Sequence, residues 1–240
     1  MCGIAGIISS NPRELGPLLK EMLGRMHHRG PDGAGYVIGE VCERKPTLQQ
    51  LQLSGKKGLV AMGHVRLAIT GGADGLQPFQ SENRRVSMLH NGEIYNYNEL
   101  AQQLSNSGTL RTGSDSEVLM RLIEETYTGD LISVMEKVLR KLDGVYALAV
   151  TDQQHTVIAR DPVGVRQLYF YIGKGLIAFA SERKSLRALG GEGIEIHRLP
   201  PGHMMVLKYN SYQLHQFWNQ KQLKSKTVIK KHEHALASYD

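Results

Sequence analysis

Residues 1–9 read Met-Cys-Gly-Ile-Ala-Gly-Ile-Ile-Ser, and residues 15–26 read Leu-Gly-Pro-Leu-Leu-Lys-Glu-Met-Leu-Gly-Arg-Met. The apolar run at 3–9 has the length of a buried strand. The apolar residues of the second stretch recur every three or four positions, which places them along one face of a helix. The chain is therefore predicted to open with a strand followed by a helix, and His-His-Arg-Gly-Pro-Asp-Gly-Ala-Gly at 27–35 ends that helix.

Beyond this opening unit, helices and strands occur in separate blocks. Strands are predicted at 35–38, 58–70, 86–95, 145–150, 156–159, 168–172, 176–180, 203–208 and 212–218. Helices are predicted at 98–105, 115–127, 131–142 and 181–189. The four strands between 145 and 180 are joined by short turns, which favours an antiparallel meander. Segregated helices and antiparallel strands indicate an α+β fold.

The composition is that of an ordinary globular protein, with 240 residues, 41% of them apolar and 22% charged. We expect one domain over residues 1–218 and a polar, Lys-rich tail, or a linker to a partner module, over residues 219–240. The formal charge is +6. Much of the excess lies in this tail, which favours a solvated segment over a nucleic-acid-binding surface.

The sequence contains neither an apolar run of the ~20 residues that span a bilayer nor a basic region ahead of an apolar stretch at its start. A cytoplasmic protein with no membrane or nucleic-acid partner is predicted. Its two cysteines, Cys2 and Cys42, form no Cys-x-x-Cys pair. We therefore expect no disulfide framework, no metal site and no cofactor.

Cys2 is a candidate nucleophile because removal of Met1 would give it a free α-amino group beside its thiol. An α-amino group has an ordinary pKa of about 7.7–8.0, so a useful fraction is neutral near pH 7 and can take the thiol proton. The alternative is a small residue buried at the start of a strand, as is common for free cysteine. Position alone favours that alternative.

Five short sequence motifs favour the interpretation of Cys2 as a nucleophile instead. They are Met-Cys-Gly-Ile-Ala-Gly at 1–6, His-Arg-Gly-Pro-Asp-Gly at 28–33, Gly-His-Val-Arg-Leu-Ala-Ile at 63–69, His-Asn-Gly-Glu-Ile-Tyr-Asn at 90–96 and Gly-Ser-Asp-Ser-Glu-Val-Leu at 113–119. In this order they resemble the class II glutamine amidotransferases, which use an amino-terminal nucleophile. The resemblance implies a four-layer αββα sandwich of the amino-terminal-nucleophile hydrolase type. It also implies hydrolysis of L-glutamine to glutamate and ammonia through a Cys2 thioester.

The resemblance also implies roles for individual residues. The Asn91 side-chain amide and the Gly92 N–H would form the oxyanion hole, where preorganised donors meet the developing charge. Arg66 would hold the glutamine carboxylate in a bidentate pair, and Asp115 would accept from its ammonium group. Glu93 would contact the substrate, as would main-chain groups of Leu67, Ala68, Ile69 and Thr70. Arg29 and Gly30 would support the nucleophile loop.

Each of these residues also has a purely structural interpretation. Asn-Gly is typical of a tight turn, Arg66 of a surface residue and Glu93 of a solvated loop. Either Ser114 or Asp115 could cap the helix that follows. His64 and His90 are predicted to be hydrogen-bonded structural residues and not general bases. Gln167 stands where the family commonly has proline, which leaves the local turn uncertain.

The identity of the ammonia acceptor is less constrained. Pro-Pro-Gly-His at 200–203 looks like asparagine synthetase, whereas Gln77-Pro78-Phe79 looks more like amidophosphoribosyltransferase. No Ser-Gly-Gly-x-Asp-Ser phosphate loop occurs, nor an acidic phosphoribosyl-diphosphate loop. Ammonia is therefore expected to enter solvent or a synthetase module, with a separate, asparagine synthetase-like subunit favoured.

Several alternatives stay open. The module could instead belong to an amidophosphoribosyltransferase-like or glutamate synthase-like enzyme. A non-catalytic glutamine-binding module would retain Met1. An amidase of the same fold would act on another amide, although Arg66 and Asp115 argue against it.

Overall fold

Two antiparallel sheets form the centre of the molecule. The structure is a computed structural model, and it describes residues 1–68, 75–105, 110–209 and 211–218. Within these residues the strands are β1 Gly3–Glu14, β2 Ala34–Ile38, β3 Val41–Lys45, β4 Lys57–Val65, β5 Phe79–Gln80, β6 Ser87–Ile94, β7 Gly144–Thr151, β8 Thr156–Arg160, β9 Tyr169–Gly173, β10 Leu176–Ala180, β11 His197–Arg198, β12 His203–Lys208 and β13 Ser211–Gln216. The helices are α1 Gly16–Gly24, α2 Tyr97–Gln102, α3 Asp115–Thr126, α4 Leu131–Leu139 and α5 Arg183–Leu186.

The strand order places β1 in the middle of one sheet and β6 near one edge of the other. The seven-stranded sheet has the order β11-β9-β10-β1-β4-β2-β3, and the six-stranded sheet has the order β13-β12-β8-β7-β6-β5. β1 pairs with β10 and β4, and β6 pairs with β7 over its whole length. β6 also comes within 8 Å of β1 and β4, Cα to Cα, across the space between the sheets.

Three apolar clusters separate four layers. One cluster joins α1 and α5 to the seven-stranded sheet, a second lies between the sheets, and a third joins α2, α3 and α4 to the six-stranded sheet. Because side chains alternate along each strand, both sheets contribute one face to a helical layer and one face to the shared interior. The predicted αββα sandwich is confirmed.

The predicted meander between 145 and 180 is wrong. β7 and β8 form a hairpin in the six-stranded sheet, whereas β9 and β10 form a hairpin in the seven-stranded sheet. The chain therefore changes sheets between Arg160 and Tyr169. Short connections predict that strands are neighbours in sequence, but they do not specify which sheet each hairpin joins.

The crossing between the sheets is fixed by two buried charged residues. The Asp161 carboxylate accepts hydrogen bonds from the backbone N–H groups of residues 163–166. The Arg160 guanidinium donates to the carbonyl oxygens of Gly164, Arg166 and Leu199. The turn thus forms with glutamine at 167, because these side-chain contacts determine its course.

Other differences concern the ends of elements. β4 ends at Val65, earlier than the predicted 70, because Arg66 forms a parallel bridge to Pro31. The short strands β3 and β5 were not predicted. Residues 219–240, where the tail is expected, lie outside the described residues. Among those described, no helix combines the length and apolar character needed to cross a membrane.

Candidate active site

Strand alternation brings three predicted site residues into the same space between the sheets. Ile4, Met62 and Leu89 all contribute to the apolar cluster between the sheets. Cys2 is two residues from Ile4, Asn91 is two residues from Leu89, and Arg66 is four residues from Met62. Residues at even spacing along a strand lie on the same face, so all three face the space between the sheets. The two sheets therefore carry Cys2 and the Asn91 amide on opposite walls of this space.

The Cys2 thiol lies against the main chain that follows β4. Its Sγ is 3.4 Å from the Leu67 nitrogen, which donates to it, and 3.7 Å from the Leu67 carbonyl oxygen. This position follows from the register, because Gly3 is opposite Val65 and the next pair outward joins Cys2 to the segment at 66–67. The Cys2 sulfur is therefore held against the main chain of Leu67.

The main chain at Cys2 is held by an ionic network. Arg29 Nε donates to the Cys2 carbonyl oxygen at 2.9 Å, and Arg29 Nη1 donates to Glu182 Oε1 at 3.0 Å. His28 and Lys184 also contact Glu182, at 3.1 and 3.3 Å. Burial acts to raise the pKa of Glu182, but the hydrogen bonds from Arg29 and Lys184 outweigh it and lower that pKa. The network keeps Glu182 charged and fixes Arg29.

The loop at 30–33 clamps the segment that carries Arg66. Asp32 N donates to the Arg66 carbonyl oxygen at 2.9 Å, and Arg66 N donates to Gly33 O at 2.8 Å. The Asp32 carboxylate accepts from Ala68 N at 2.9 Å. A Cβ on Gly30 would lie 2.5 Å from the backbone of Val65 and Arg66, so the loop can approach this closely only with glycine.

Arg66 is buried, with 5% of its surface exposed. The backbone at Gly75 covers its guanidinium, because a Cβ there would lie 2.7 Å from Arg66 Nη2. The interpretation of Arg66 as an ordinary surface residue is therefore wrong. Its role in binding a carboxylate stays a prediction.

Asn91 is 1% exposed, and its side-chain nitrogen has no hydrogen-bond partner among the described residues. Its neighbour His90 is held on both sides, because Gln77 bonds the backbone nitrogen and oxygen of His90 at 2.7 and 2.9 Å. The Asn91 backbone is thus fixed beside His90, while its side-chain nitrogen has no partner among the described residues. Asn91-Gly92 lies within β6, so the tight-turn interpretation is wrong.

Gly92 packs against the next strand. A Cβ on Gly92 would lie 2.1 Å from Val145 O and 2.6 Å from Tyr146 Cα. The oxyanion role implied by the family resemblance uses only the backbone N–H of Gly92. The close approach of β7 to β6 is what requires glycine at this position.

The start of α3 connects to the end of β6. Ser114 is the N-cap residue, and its hydroxyl accepts from Ser116 N. The Asp115 carboxylate accepts from Ser116 N at 2.7 Å and from Ile94 N at 2.9 Å. Both predicted capping groups therefore serve this helix. The Asp115 side chain is 14% exposed.

Two fully buried histidines lie beside the site. Burial lowers the pKa of His64 to about 3, and the neighbouring His90 and Arg66 act in the same direction. Burial also lowers the pKa of His90, Asp115 opposes this shift, and Arg166 adds to it. His90 Nδ1 bonds Ser116 Oγ at 2.8 Å, as expected of a structural residue. His64 makes no well-formed hydrogen bond within the described residues, so the prediction is wrong on that point.

The remaining predicted residues are less constrained. Glu93 is exposed on β6. Leu67 and Ala68 present their main chain to Cys2 and Asp32. Ile69 and Thr70 lie outside the described residues. Within the part of the chain that the structure describes, no group of three or more His, Cys, Asp or Glu residues is arranged to hold a metal ion.

A family profile described as "Glutamine amidotransferase domain" matches residues 1–229. The chain belongs to this family of glutamine amidotransferase domains. Class II members of this family are glutamine-hydrolysing domains with the amino-terminal-nucleophile fold. This assignment agrees with the order of the five sequence strings.

Relatives of several kinds match this amidotransferase domain, among them asparagine synthetases and amidophosphoribosyltransferases. A putative glutamine-hydrolysing asparagine synthetase of Methanocaldococcus jannaschii is 36% identical over 78% of the chain and 33% of the relative. The amidophosphoribosyltransferase of the same organism is 31% identical over 87% of the chain and 47% of the relative. The chain thus spans a third to a half of the length of these relatives. The mixture of strings in the sequence corresponds to these two kinds.

Solved structures agree. The glutamine phosphoribosylpyrophosphate amidotransferase of Bacillus subtilis superimposes with a TM-score of 0.78 and 30% identity, covering 90% of this chain and 49% of that one. A class II glutamine aminotransferase domain protein of Silicibacter pomeroyi shares the fold, with a TM-score of 0.60 at 16% identity over 91% of this chain and all of that one.

Sequence reasoning missed four residues of this amidotransferase domain that shape the site. Asp32 lies inside a quoted string, so a carboxylate next to Gly33 was a usable signal. Gln77 lies in a string used only to compare relatives. Glu182 and Arg166 gave no local signal, since they reach the site only through the sheet pairing. Arg166 Nη1 lies 2.7 Å from Met1 Sδ, and its charge also acts on His90.

Proposed function

We propose that this chain hydrolyses L-glutamine to glutamate and ammonia through a thioester on Cys2. The observation that carries the proposal is the Asn91 side-chain nitrogen, which is buried without a partner among the described residues. Leaving a buried donor unpaired costs about 1–3 kcal/mol. A donor fixed in this way on the wall facing Cys2 is suited to an oxyanion that exists only during the reaction.

The reaction begins once Met1 is removed. Met1 is 54% exposed, so it is accessible to a processing enzyme. The freed α-amino group takes the Cys2 thiol proton, and the thiolate attacks the side-chain amide carbon of glutamine. The tetrahedral oxyanion is stabilised by Asn91 Nδ2 and the Gly92 N–H. The C–N bond then breaks, and the leaving nitrogen receives a proton from the α-ammonium group to give ammonia.

Water completes the cycle. The neutral α-amino group accepts a proton from water as water attacks the thioester, and the same donors stabilise a second oxyanion. Collapse releases glutamate and returns the thiol. Leu67 N supports this exchange, because its N–H points at the sulfur in the free enzyme.

Specificity for glutamine rests on opposite charges at the two ends of its amino-acid group. The Arg66 guanidinium binds the carboxylate, Asp115 accepts from the ammonium, and Glu93 contacts the substrate from the accessible edge of β6. The main chain of Leu67 and Ala68 completes the pocket. Amides that lack these two charges are poor substrates, which separates this function from that of a general amidase.

Ammonia is delivered to a synthetase module, for which an asparagine synthetase-like subunit is favoured. The relatives of this type support the proposal, since their length beyond the matched region leaves room for another activity. An amidophosphoribosyltransferase-like partner is the second candidate.

We place the domain at residues 1–218 and a linker to the partner at residues 219–240. Both cysteines are free, in keeping with the reducing cytoplasm.

The test combines mass, labelling and turnover. Intact mass identifies the amino-terminal residue, and a diazoketone analogue of glutamine labels the nucleophile. Wild type and Cys42→Ala, which removes the other cysteine, are expected to lose Met1, take up one label and release glutamate. Cys2→Ala is expected to take up no label and to release no glutamate while still binding glutamine. Retention of Met1 with glutamine binding and no turnover would establish the non-catalytic module instead.

A further inference from the structure

A second pocket lies beside the candidate active site and contains none of its residues. It has a volume of about 380 Å³ and lies between the segment at 76–80 and the segment at 111–121. Leu76, Phe79 and Met120 give it an apolar surface, and Arg44 and Arg111 contribute exposed side chains. A volume of this size is typical of sites for small organic ligands.

The positive charge of this pocket is only partly neutralised from within, because its lining has three arginines and one acid. Its acid, Glu117, accepts from the backbone nitrogens of Arg111 and Thr112 at 2.7–2.9 Å and from the Thr112 hydroxyl at 2.8 Å. Burial acts to raise the pKa of Glu117, but these hydrogen bonds prevail and lower it. Glu117 therefore stays charged while its oxygens are occupied by the loop.

The three arginines at the pocket differ in their partners. Arg121 is paired with Glu82 at 3.0 Å and Glu124 at 2.8 Å. Arg44 donates through Nε to the Pro78 carbonyl oxygen at 2.7 Å, which orients its guanidinium. Among the described residues, neither Arg44 nor Arg111 forms an ion pair. Two guanidinium groups beside an apolar surface are thus available to an anion.

We propose that this pocket binds a small organic anion, a carboxylate or phosphate carried on an apolar group. The anion contacts Arg44 and Arg111, and its apolar part packs on Leu76, Phe79 and Met120. A larger cleft of about 970 Å³ also contains two arginines, Arg84 and Arg85, but its lining otherwise comes from polar turns and Tyr127. That cleft lacks the aliphatic surface that favours an amphipathic ligand.

Both walls of the pocket continue into the glutamine site. On one side, the backbone at Gly75 packs on the Arg66 guanidinium, and Gln77 holds the main chain of His90. On the other side, the Thr112 hydroxyl accepts from Ser114 N at 3.1 Å, directly before Asp115. An anion that orders these walls also orders the groups proposed to bind glutamine. We therefore expect its binding to be linked to glutamine affinity, and this part of the inference rests on the proposed function.

Calorimetric titration of the full chain with phenyl phosphate at low ionic strength tests the binding site. Inorganic phosphate and phenol serve as matched probes for the charged and the apolar part. Phenyl phosphate is expected to bind at least ten times more tightly than either, in wild type and in Cys2→Ala alike. Equal binding of phosphate and phenyl phosphate, or no binding of phenyl phosphate, overturns the proposal. Cys2→Ala makes this outcome independent of whether the chain is a glutaminase.

Two double variants locate the site. R44Q/R111Q is expected to weaken phenyl phosphate binding at least tenfold, whereas R84Q/R85Q, which removes the same charge from the larger cleft, leaves it within twofold. Equal weakening by both variants shows diffuse attraction to a basic surface and overturns the assignment. Met120→Ala separately tests the apolar contact, with an expected loss of three- to tenfold for phenyl phosphate and none for phosphate.

The linkage is tested by titrating glutamine into Cys2→Ala with and without saturating phenyl phosphate. A change of threefold or more in glutamine affinity supports linkage if it is absent when R44Q/R111Q is introduced into Cys2→Ala. Glutamine must then change the affinity for phenyl phosphate by the same factor. An unchanged glutamine affinity overturns the linkage. Failure of glutamine to bind at all contradicts the proposed function instead, and the binding of phenyl phosphate is read independently of it.

Discussion

The two walls of the candidate site are held in different ways. The nucleophile side, comprising Cys2, Arg29, Asp32, Leu67 and Glu182, is fixed mainly by contacts to the main chain in a half-exposed setting. The β6 side, comprising residues 90–94 and 114–116, is fixed by buried polar side chains. Removing the partner of a buried polar group lowers the free energy of unfolding more than removing the partner of an exposed one. Buried polar groups therefore contribute to stability as well as to function. Substitutions are therefore expected to separate activity from stability on the nucleophile side more cleanly than on the β6 side.

The largest expected effect concerns Asn91, which lies on the β6 side but should affect activity with little effect on stability. In Asn91→Ala, kcat for glutamine hydrolysis is expected to fall about 10²–10³-fold with KM little changed, because an oxyanion donor acts only in the transition state. Stability should suffer little from lost hydrogen bonding, since the Asn91 amide nitrogen has no partner among the described residues. Steady-state kinetics and urea unfolding measure the two effects.

A second asparagine provides the control. Asn96 donates to Lys141 O at 2.9 Å and accepts from Asp143 N at 3.0 Å. Asn96→Ala is expected to lower the free energy of unfolding by about 1–2 kcal/mol while leaving kcat near wild type. If Asn91→Ala proves as destabilising as Asn96→Ala and retains full activity, the oxyanion role is contradicted.

Gly92→Ala is expected to affect both properties. The added methyl would lie 2.1 Å from Val145 O, so β6 must shift. The free energy of unfolding should fall by about 1–3 kcal/mol, and kcat should fall because the shift displaces Asn91. Gly24→Ala, where no atom lies within 4 Å, is the control and should be neutral or slightly stabilising. Unchanged stability in Gly92→Ala would show that β7 can move away from β6 at a lower cost in free energy than its close backbone contacts imply.

The pH dependence of stability tests the burial of His64 between the two walls. Its pKa is about 3 in the folded protein, whereas in the unfolded chain it is about 6.5. The folded-state pKa is lowered, so the stability from the neutral ring is complete above about pH 6.5 and is lost as pH falls toward 3. The slope for one proton is about 1.4 kcal/mol per pH unit.

The matched histidine variants make this measurable. Urea unfolding at pH 7.5, 5.5 and 4.5 should show a shallower pH dependence in His64→Gln than in wild type. His197→Gln, at a side chain that is 45% exposed, should follow wild type. The same pH dependence in all three proteins would contradict a neutral, buried His64.

The smallest effect is expected on the nucleophile side. Glu182→Gln removes the charge that holds Arg29, whose side chain is 11% exposed. The free energy of unfolding should fall by about 0.5–1 kcal/mol, while kcat falls several-fold because the Cys2 main chain is less well fixed. Glu192→Gln, which loses an exposed pair with Arg187, should change neither. A larger loss of stability than in Gly92→Ala would reverse the contrast between the two sides.

Sequence reasoning located most helices and strands, because alternation and the helical period are local properties. It also placed Cys2, Arg66, Asn91 and Asp115 in motifs whose order indicated the family. It failed on the connection of β8 to β9, where local pattern does not encode the choice of sheet. It treated His64 as hydrogen-bonded, because a histidine in a strand gives no sign of whether its ring will find a partner.

The sequence by itself determined the α+β class, the family and the identity of the chemical groups, since these depend on residue type and spacing along the chain. Only the tertiary structure decided that Arg166 reaches Met1 and that Glu182 is linked to Cys2 through Arg29. It also decided that the close approach of β7 requires glycine at 92. The same packing places Arg44 and Arg111 in the lining of one pocket with Leu76. These contacts join residues far apart in sequence, and their geometry depends on the pairing and packing of two sheets, which no local pattern specifies.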